Sequence, residues 1–260
     1  TAAGRVMAAQ QDLRAALAKV EGLRHDGEKL DDAALMKALG HPGQHPEGRF
    51  LPETYLYQRG DSDLDILRRA HVAMAQALDE AWQARADDVP LATPDEALVL
   101  ASIVEKETGQ AHERPQIAGV FARRLRKGML LQTDPTVIYG LGSGYDGNIR
   151  KRDLTTDTPY NTYTRPGLPP TPIAMPGRAA LQAAVNPAPG DALYFVSRND
   201  GSHVFSATYA EHNRAVDCYQ RRRGCPPGQQ ALPAQAAASP AGQDPGQDSA
   251  QGPLPDPGPR

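Results

Sequence analysis

The chain has 260 residues, 40% of them hydrophobic and 23% charged, with a formal net charge of −3, which is enough apolar residue to bury the core of one large or two small domains. Near-neutral balance excludes the concentrated basic surface that nucleic acid requires, and Arg221, Arg222 and Arg223 read as a solvated helix end. No run reaches the roughly 20 apolar residues of a membrane span and no signal peptide opens at Thr1. The only cysteines, Cys218 and Cys225, exclude a disulfide framework or a multi-cysteine metal site and leave one bridge across a short loop open.

Val6, Leu13, Leu17 and Val20 recur at helical spacing, and Asp32 is placed to cap a second helix through Leu39 to Gly40. Residues 41–60 turn to Pro, Gly and aromatics, including the string from Pro46 to Tyr55, and read as an ordered loop. Asp61 or Asp63 can cap a long helix that keeps Leu67, Met74, Leu78 and Trp82 in phase and ends near Pro90. Thr93-Pro94-Asp95 opens a helix that is apolar nearly all round from Ala97 to Val104 and runs to Gly109, the pattern of a helix buried on several sides.

A further helix is predicted over 115–127, with Ile117, Val120, Phe121 and Leu125 on one face and Arg123, Arg124 and Arg126 elsewhere. Met129 to Gln132 reads as a strand, Asp134-Pro135 as the start of a helical turn through Tyr139, and 140–147 as a Gly-rich loop. Residues 157–177 hold six prolines, too many for a helix or central strand. A short helix near 178–185 precedes strands at 193–196 and 203–205 joined by Asn199-Asp200-Gly201, a β-hairpin pattern. A last helix covers 209–222, and beyond Cys225 the Pro, Gln, Ala, Gly and Ser composition predicts a disordered tail. The expected fold is α+β: helices packed on a small mixed or antiparallel sheet in two layers, with the active site in a cleft.

A carboxyl donates a proton near neutral pH only where burial or a negative neighbour raises its pKa, and the C-terminal turn of the apolar helix offers such a setting. At about 100° per residue, Glu107 shares the stripe of Leu100, Ile103 and Val104, while Glu105 lies about 160° away beside Leu98, Ala101 and Ser102. The helix dipole disfavours carboxylates at this end, so their presence there calls for a reason. Phe50, Tyr55 and Tyr57 in one loop, and Tyr160, Tyr163 and Leu168-Pro169-Pro170 in another, suit a sugar groove with Asn161, Thr162 and Thr164 as hydrogen-bonding partners, or equally loops packing on their own core. His203, His212 and Asn213 can orient a substrate or satisfy backbone groups. His112-Glu113 lacks the second histidine of a zinc HExxH site, and the loop at 140–147 lacks the Lys-Ser/Thr ending of a phosphate loop. No metal or other cofactor is expected.

Leu100 to Thr108 (Leu-Ala-Ser-Ile-Val-Glu-Lys-Glu-Thr), Leu131 to Gly140 (Leu-Gln-Thr-Asp-Pro-Thr-Val-Ile-Tyr-Gly), Tyr160-Asn161-Thr162-Tyr163 with Gly167 to Pro170, and His212-Asn213 closely resemble the endolytic murein transglycosylase family, also called YceG-like or MltG, over roughly residues 44–222. Two departures are visible: Thr171 stands where the family often has Gly, and Met175 precedes Pro176-Gly177 where a small or polar residue is common. The resemblance implies a catalytic domain over 44–224, preceded by an N-terminal helical segment over 1–43 and followed by the disordered tail over 225–260 that periodicity and composition indicate. A membrane helix and a LysM-like domain, usual ahead of the family's catalytic domain, are not recognisable here, so the resemblance implies a truncated chain or one whose start is missing.

By resemblance Glu107 carries the acid/base role, with Glu105, Gln132, Thr133, Asp134, Tyr139, Tyr160, Asn161, Thr162, Tyr163, His203 and Asn213 as supporting or substrate-binding candidates. Lys106 and Arg114 join Glu105 as groups able to tune its charge. The implied reaction is cleavage of the β-1,4 bond between N-acetylmuramic acid and N-acetylglucosamine of peptidoglycan, the muramic 6-hydroxyl attacking its own anomeric carbon. A muramidase that lets water attack, or a non-catalytic glycan-binding scaffold, is the alternative. The implied partners are glycan strands and, as a further class, peptidoglycan synthases. The implied location is the bacterial inner membrane with the domain facing the periplasm, held only through an upstream anchor.

Overall fold

The computed structural model describes residues 9–225; Val6 and the tail from Pro226 onward lie outside them. Helices Ala9–Leu17 (α1) and Asp32–Leu39 (α2) open the chain. Asp31 rather than Asp32 caps α2, accepting the Ala34 N–H at 2.8 Å, because Asp31 is the last residue with extended backbone and Asp32 already sits in the helix. Gly40 closes α2 in the left-handed region, φ 93°, which glycine adopts without a Cβ clash. Residues 41–60 form no helix or strand, as the sequence indicates.

Ser62, not Asp61 or Asp63, caps the long helix Asp63–Gln83 (α3), accepting the Leu64 N–H at 3.2 Å. The two aspartates are committed elsewhere: Asp61 accepts the Gln58 N–H, and buried Asp63 accepts the Gly27 N–H from the N-terminal segment. Thr93 caps Pro94–Glu107 (α4) through the Glu96 N–H, as predicted. Arg114–Arg126 (α5) follows a single 3-10 turn at Ala111–Glu113.

The strand predicted at 129–132 does not form. The buried Arg124 guanidinium of α5 takes the carbonyls of Leu130 and Leu131 at 2.9 and 3.2 Å, and Gln132 turns to φ 52°, which breaks extended pairing. Arg124 is therefore not on a solvated face. Asp134–Leu141 (α6) is longer than the expected turn, and a five-residue helix, Lys151–Thr155 (α7), was not visible in the pattern. The proline-rich stretch is irregular, and Arg178–Val185 (α8) forms where expected.

Tyr194–Ser197 (β1) and His203–Ser206 (β2) pair antiparallel with Tyr194 opposite Ser206 and Ser197 opposite His203. Thr208 and Glu211 form a capping box on Tyr209–Tyr219 (α9), which stops short of Arg222. There the Cys218–Cys225 disulfide turns the chain back. Among the described residues no helix is long and apolar enough to cross a membrane.

The main core surrounds α4, whose residues from Ala97 to Val104 are all buried. It packs most extensively on α8, where Ala180, Ala183 and Ala184 permit close approach, and also on α3, α5 and α6. Full burial of Leu98, Leu100 and Ile103 contributes on the order of 1.5–3 kcal/mol each. A second cluster joins Leu35, Met36, Phe50, Ile66 and Leu67 beneath the N-terminal segments. The apolar demand of α4 thus fixes where its last turn, with Glu105 and Glu107, emerges.

Candidate active site

Glu107 is the last residue of α4 and faces the loop that leads into α6. The Thr133 hydroxyl donates to Glu107 Oε1. Thr133 is itself buried and held: its N–H donates to Thr162 Oγ1 at 3.1 Å, and its carbonyl accepts the Thr136 hydroxyl at 2.8 Å. Thr136 and Thr162 are joined at 2.9 Å. Three threonines from two loops and a helix therefore fix one hydroxyl against one carboxyl.

Burial pushes Glu107 up from its ordinary 4.5 to about 7, against the Thr133 hydrogen bond, which lowers it; the Asp134 charge adds to the rise. The negative end of the α4 dipole acts in the same direction. A carboxyl in this state holds its proton near neutral pH and can still release it, which is what one group serving as acid and then base requires.

Asp134, the first residue of α6, accepts the Tyr163 hydroxyl at 2.6 Å. Burial raises the Asp134 carboxyl while that hydrogen bond lowers it. Burial and the neighbouring Asp134 charge push the Tyr163 phenol up, so it remains a donor. Gln132 accepts from Arg124 at 3.1 Å through its side chain and donates its N–H to the Thr162 carbonyl, so it shapes the loop that carries Thr133.

Tyr139 and Tyr160 lie 4.9 Å apart and tilted by 58°, and the Tyr160 hydroxyl meets Thr171 Oγ1 at 2.8 Å. Thr171, one of the two departures from the family pattern, thus has a partner that glycine could not supply. Met175, the other, packs on the N-terminal cluster. Asn161 and Thr162 are framework: buried Asn161 gives its amide to the carbonyls of Asp153, Leu154 and Thr156 and accepts the Tyr163 N–H.

Other candidates stand apart from Glu107. Glu105 accepts the Gly177 N–H at 3.1 Å and faces Arg114 at 3.7 Å, which anchors the start of α8. Phe50 and Tyr55 belong to the N-terminal cluster, and the Tyr57 hydroxyl donates to the Glu21 carbonyl. His203 is bound to Glu113 rather than to the threonine loop. His212 stacks on Tyr194 at 5.2 Å, and burial, aided by the Arg124 charge, lowers it to about 4. Asn213 lies half-buried on α9.

Sequence reasoning missed Arg124 and Glu113. Both look like ordinary charges on helix surfaces, and only their burial beneath loops distant in sequence reveals them. Among the described residues no three His, Cys, Asp or Glu side chains converge as a metal-ligand set.

The YceG-like family profile matches residues 5–218. An endolytic murein transglycosylase of Bacillus subtilis (strain 168) is 37% identical over 177 residues, 68% of this chain and 49% of that protein. One from Streptococcus pneumoniae serotype 2 (strain D39) is 30% identical over 176 residues, 65% of this chain and 31% of that protein. A crystal structure of a YceG-like protein from Listeria monocytogenes superposes with a TM-score of 0.58 at 34% identity, over 71% of this chain and 63% of that one. The chain thus spans about half the length of the Bacillus relative and about a third of the Streptococcus one.

Proposed function

The chain belongs to the YceG-like family, and from that membership we propose that it is a peptidoglycan lytic transglycosylase with Glu107 as its acid and base. It cleaves the β-1,4 bond between N-acetylmuramic acid and N-acetylglucosamine and leaves a 1,6-anhydro end. The observation that carries this reading is the half-buried Glu107 carboxyl, hydrogen-bonded by Thr133 and raised to about 7.

Ordinary glycoside hydrolysis uses two carboxylates, one of them to activate water or to attack the sugar. Intramolecular attack needs one. Glu107 protonates the leaving glycosidic oxygen; the carboxylate so formed takes the proton of the muramic 6-hydroxyl as that oxygen bonds to the anomeric carbon. The proton lost in the first half returns in the second, and no water is consumed. Asp134 and Tyr163 hold the negative charge and donor beside it, and Tyr139 with Tyr160 offers aromatic faces for a sugar ring.

The reading extends to cuts within strands that limit their length during wall synthesis, beside the synthases, on the periplasmic side of the inner membrane. That the Bacillus and Streptococcus relatives are endolytic murein transglycosylases supports the first part. The Cys218–Cys225 bridge supports an oxidising compartment.

The test is digestion of purified peptidoglycan with mass analysis of the products. Wild type is expected to release anhydro-muropeptides and Glu107→Gln none while remaining folded. Products heavier by one water would establish a muramidase, strand binding without products a scaffold, and full activity of Glu107→Gln would remove the acid assignment.

A further inference from the structure

Helix α4 ends without a left-handed cap. Its C-cap, Thr108, is extended at φ −143° and ψ 137°, in contrast to the left-handed glycine that closes α2. A last turn without such a closure is the part of a helix most prone to fray. Yet Glu107, whose placement against Thr133 sets its chemistry, occupies that turn.

A different element holds it. Buried Glu113 caps nothing on α5, although it stands at that helix's N-cap position. Its carboxylate turns to the hairpin, where Oε1 accepts the His203 N–H at 2.9 Å and Oε2 accepts from His203 Nδ1 at 2.7 Å. The Thr108 hydroxyl reaches the same Oε2 at 3.5 Å and accepts the Gln110 N–H at 2.9 Å. The carboxylate is therefore a node shared by the residue after Glu107 and the first residue of β2.

The hairpin end of this chain is in turn fixed to the core. The His203 ring meets Phe195 edge-on at 5.5 Å, and Phe195 meets Phe121 of α5 edge-on at 5.8 Å. Arg123 and Arg124 bind the carbonyls of Ala192 and Leu193 at 2.6 and 2.7 Å just before β1. A buried carboxylate with two donors from one partner is a rigid joint, because leaving either oxygen unmatched is costly.

We propose that Glu113 and His203 are positioning residues for Glu107: they hold the open C-terminal turn of α4 against the hairpin and so fix the carboxyl on Thr133. This rests on the assignment of Glu107 as the acid. The brace needs from His203 only its main-chain N–H and the Nδ1 donor, so an asparagine, whose amide nitrogen can occupy the Nδ1 position, should replace it.

The test compares wild type, Glu107→Gln, Glu113→Ala, His203→Ala and His203→Asn in glycan-strand cleavage across pH, with circular dichroism and thermal unfolding of each. Expected are a loss of about 10–100-fold in kcat for both alanine variants, KM within about twofold, and recovery to within about threefold in His203→Asn. Because a released Glu107 becomes better solvated, the alkaline limb of kcat should also move to lower pH in the alanine variants. A merely structural weakening would reduce the folded fraction and leave the limb in place, and that result overturns the proposal. So does His203→Asn as impaired as His203→Ala, or alanine variants with unchanged kcat. Inactive wild type, or active Glu107→Gln, would instead remove the functional reading on which the brace depends.

Discussion

Replacing Glu107 by Gln should stabilise the protein, increasingly so as pH rises from about 4.5 to about 7. Folded, this carboxyl titrates at about 7 rather than 4.5, chiefly because of burial. The native state therefore binds the proton more tightly than the unfolded state does. The resulting stability is fully present below about pH 4.5 and is lost progressively as pH rises to about 7. The gap between the two values, at about 1.4 kcal/mol per pH unit, amounts to as much as about 3 kcal/mol. Gln keeps an oxygen to accept the Thr133 hydroxyl but carries no charge to desolvate. Urea unfolding of wild type and Glu107→Gln between pH 4.5 and 8.5 should show curves that nearly coincide at the acidic end, diverge up to about pH 7 and stay apart above it, with the variant the more stable. A difference independent of pH, or a variant less stable at pH 8.5, would refute the claim that Glu107 is a desolvated, proton-holding carboxyl.

Two neighbours should move the alkaline limb of activity in opposite directions. Thr133→Val removes the hydrogen bond that lowers Glu107, so the limb should shift to higher pH while kcat falls about tenfold. Asp134→Asn removes the negative charge that raises Glu107 but leaves an acceptor for the Tyr163 hydroxyl; its limb should shift to lower pH in the same pH–rate measurement. Shifts of equal sign would overturn one of the two assignments, the one whose predicted direction fails. Ser102 is buried inside α4, where its hydroxyl donates to the Val99 carbonyl and accepts the Ile173 N–H at 3.0 Å. Ser102→Ala should cost about 1–3 kcal/mol in urea unfolding by leaving that N–H unmatched, and an unchanged midpoint would show that the 170s loop is held otherwise.

The local pattern alone determined much of this molecule. Thr93-Pro94 carries both a cap and a preset backbone angle, so the start of α4 is legible, and its all-round apolar run foretold burial on every side. Helical phase separated Glu107 from Glu105, and the structure sends them to different loops, one to Thr133 and the other to Gly177. Asn199-Asp200-Gly201 announced the hairpin that forms between Ser197 and His203. These signals act within a few residues, through caps, turns and periodicity, and need no knowledge of the rest of the chain.

What only the tertiary structure decided is which partner each buried polar side chain takes, whether a few residues away or many. The strand expected at 129–132 yielded to Arg124 of α5, whose guanidinium takes that segment's carbonyls. Asn161 and Thr162, legible as sugar-binding amide and hydroxyl, are consumed by the framework that presents Thr133. His203 belongs to Glu113, 90 residues away. A polar side chain has the same composition whether it faces a substrate or a buried carbonyl. Burial removes water as the competing partner, so the requirement to match every polar group picks its role, and that requirement exists only once the core has brought the loops together.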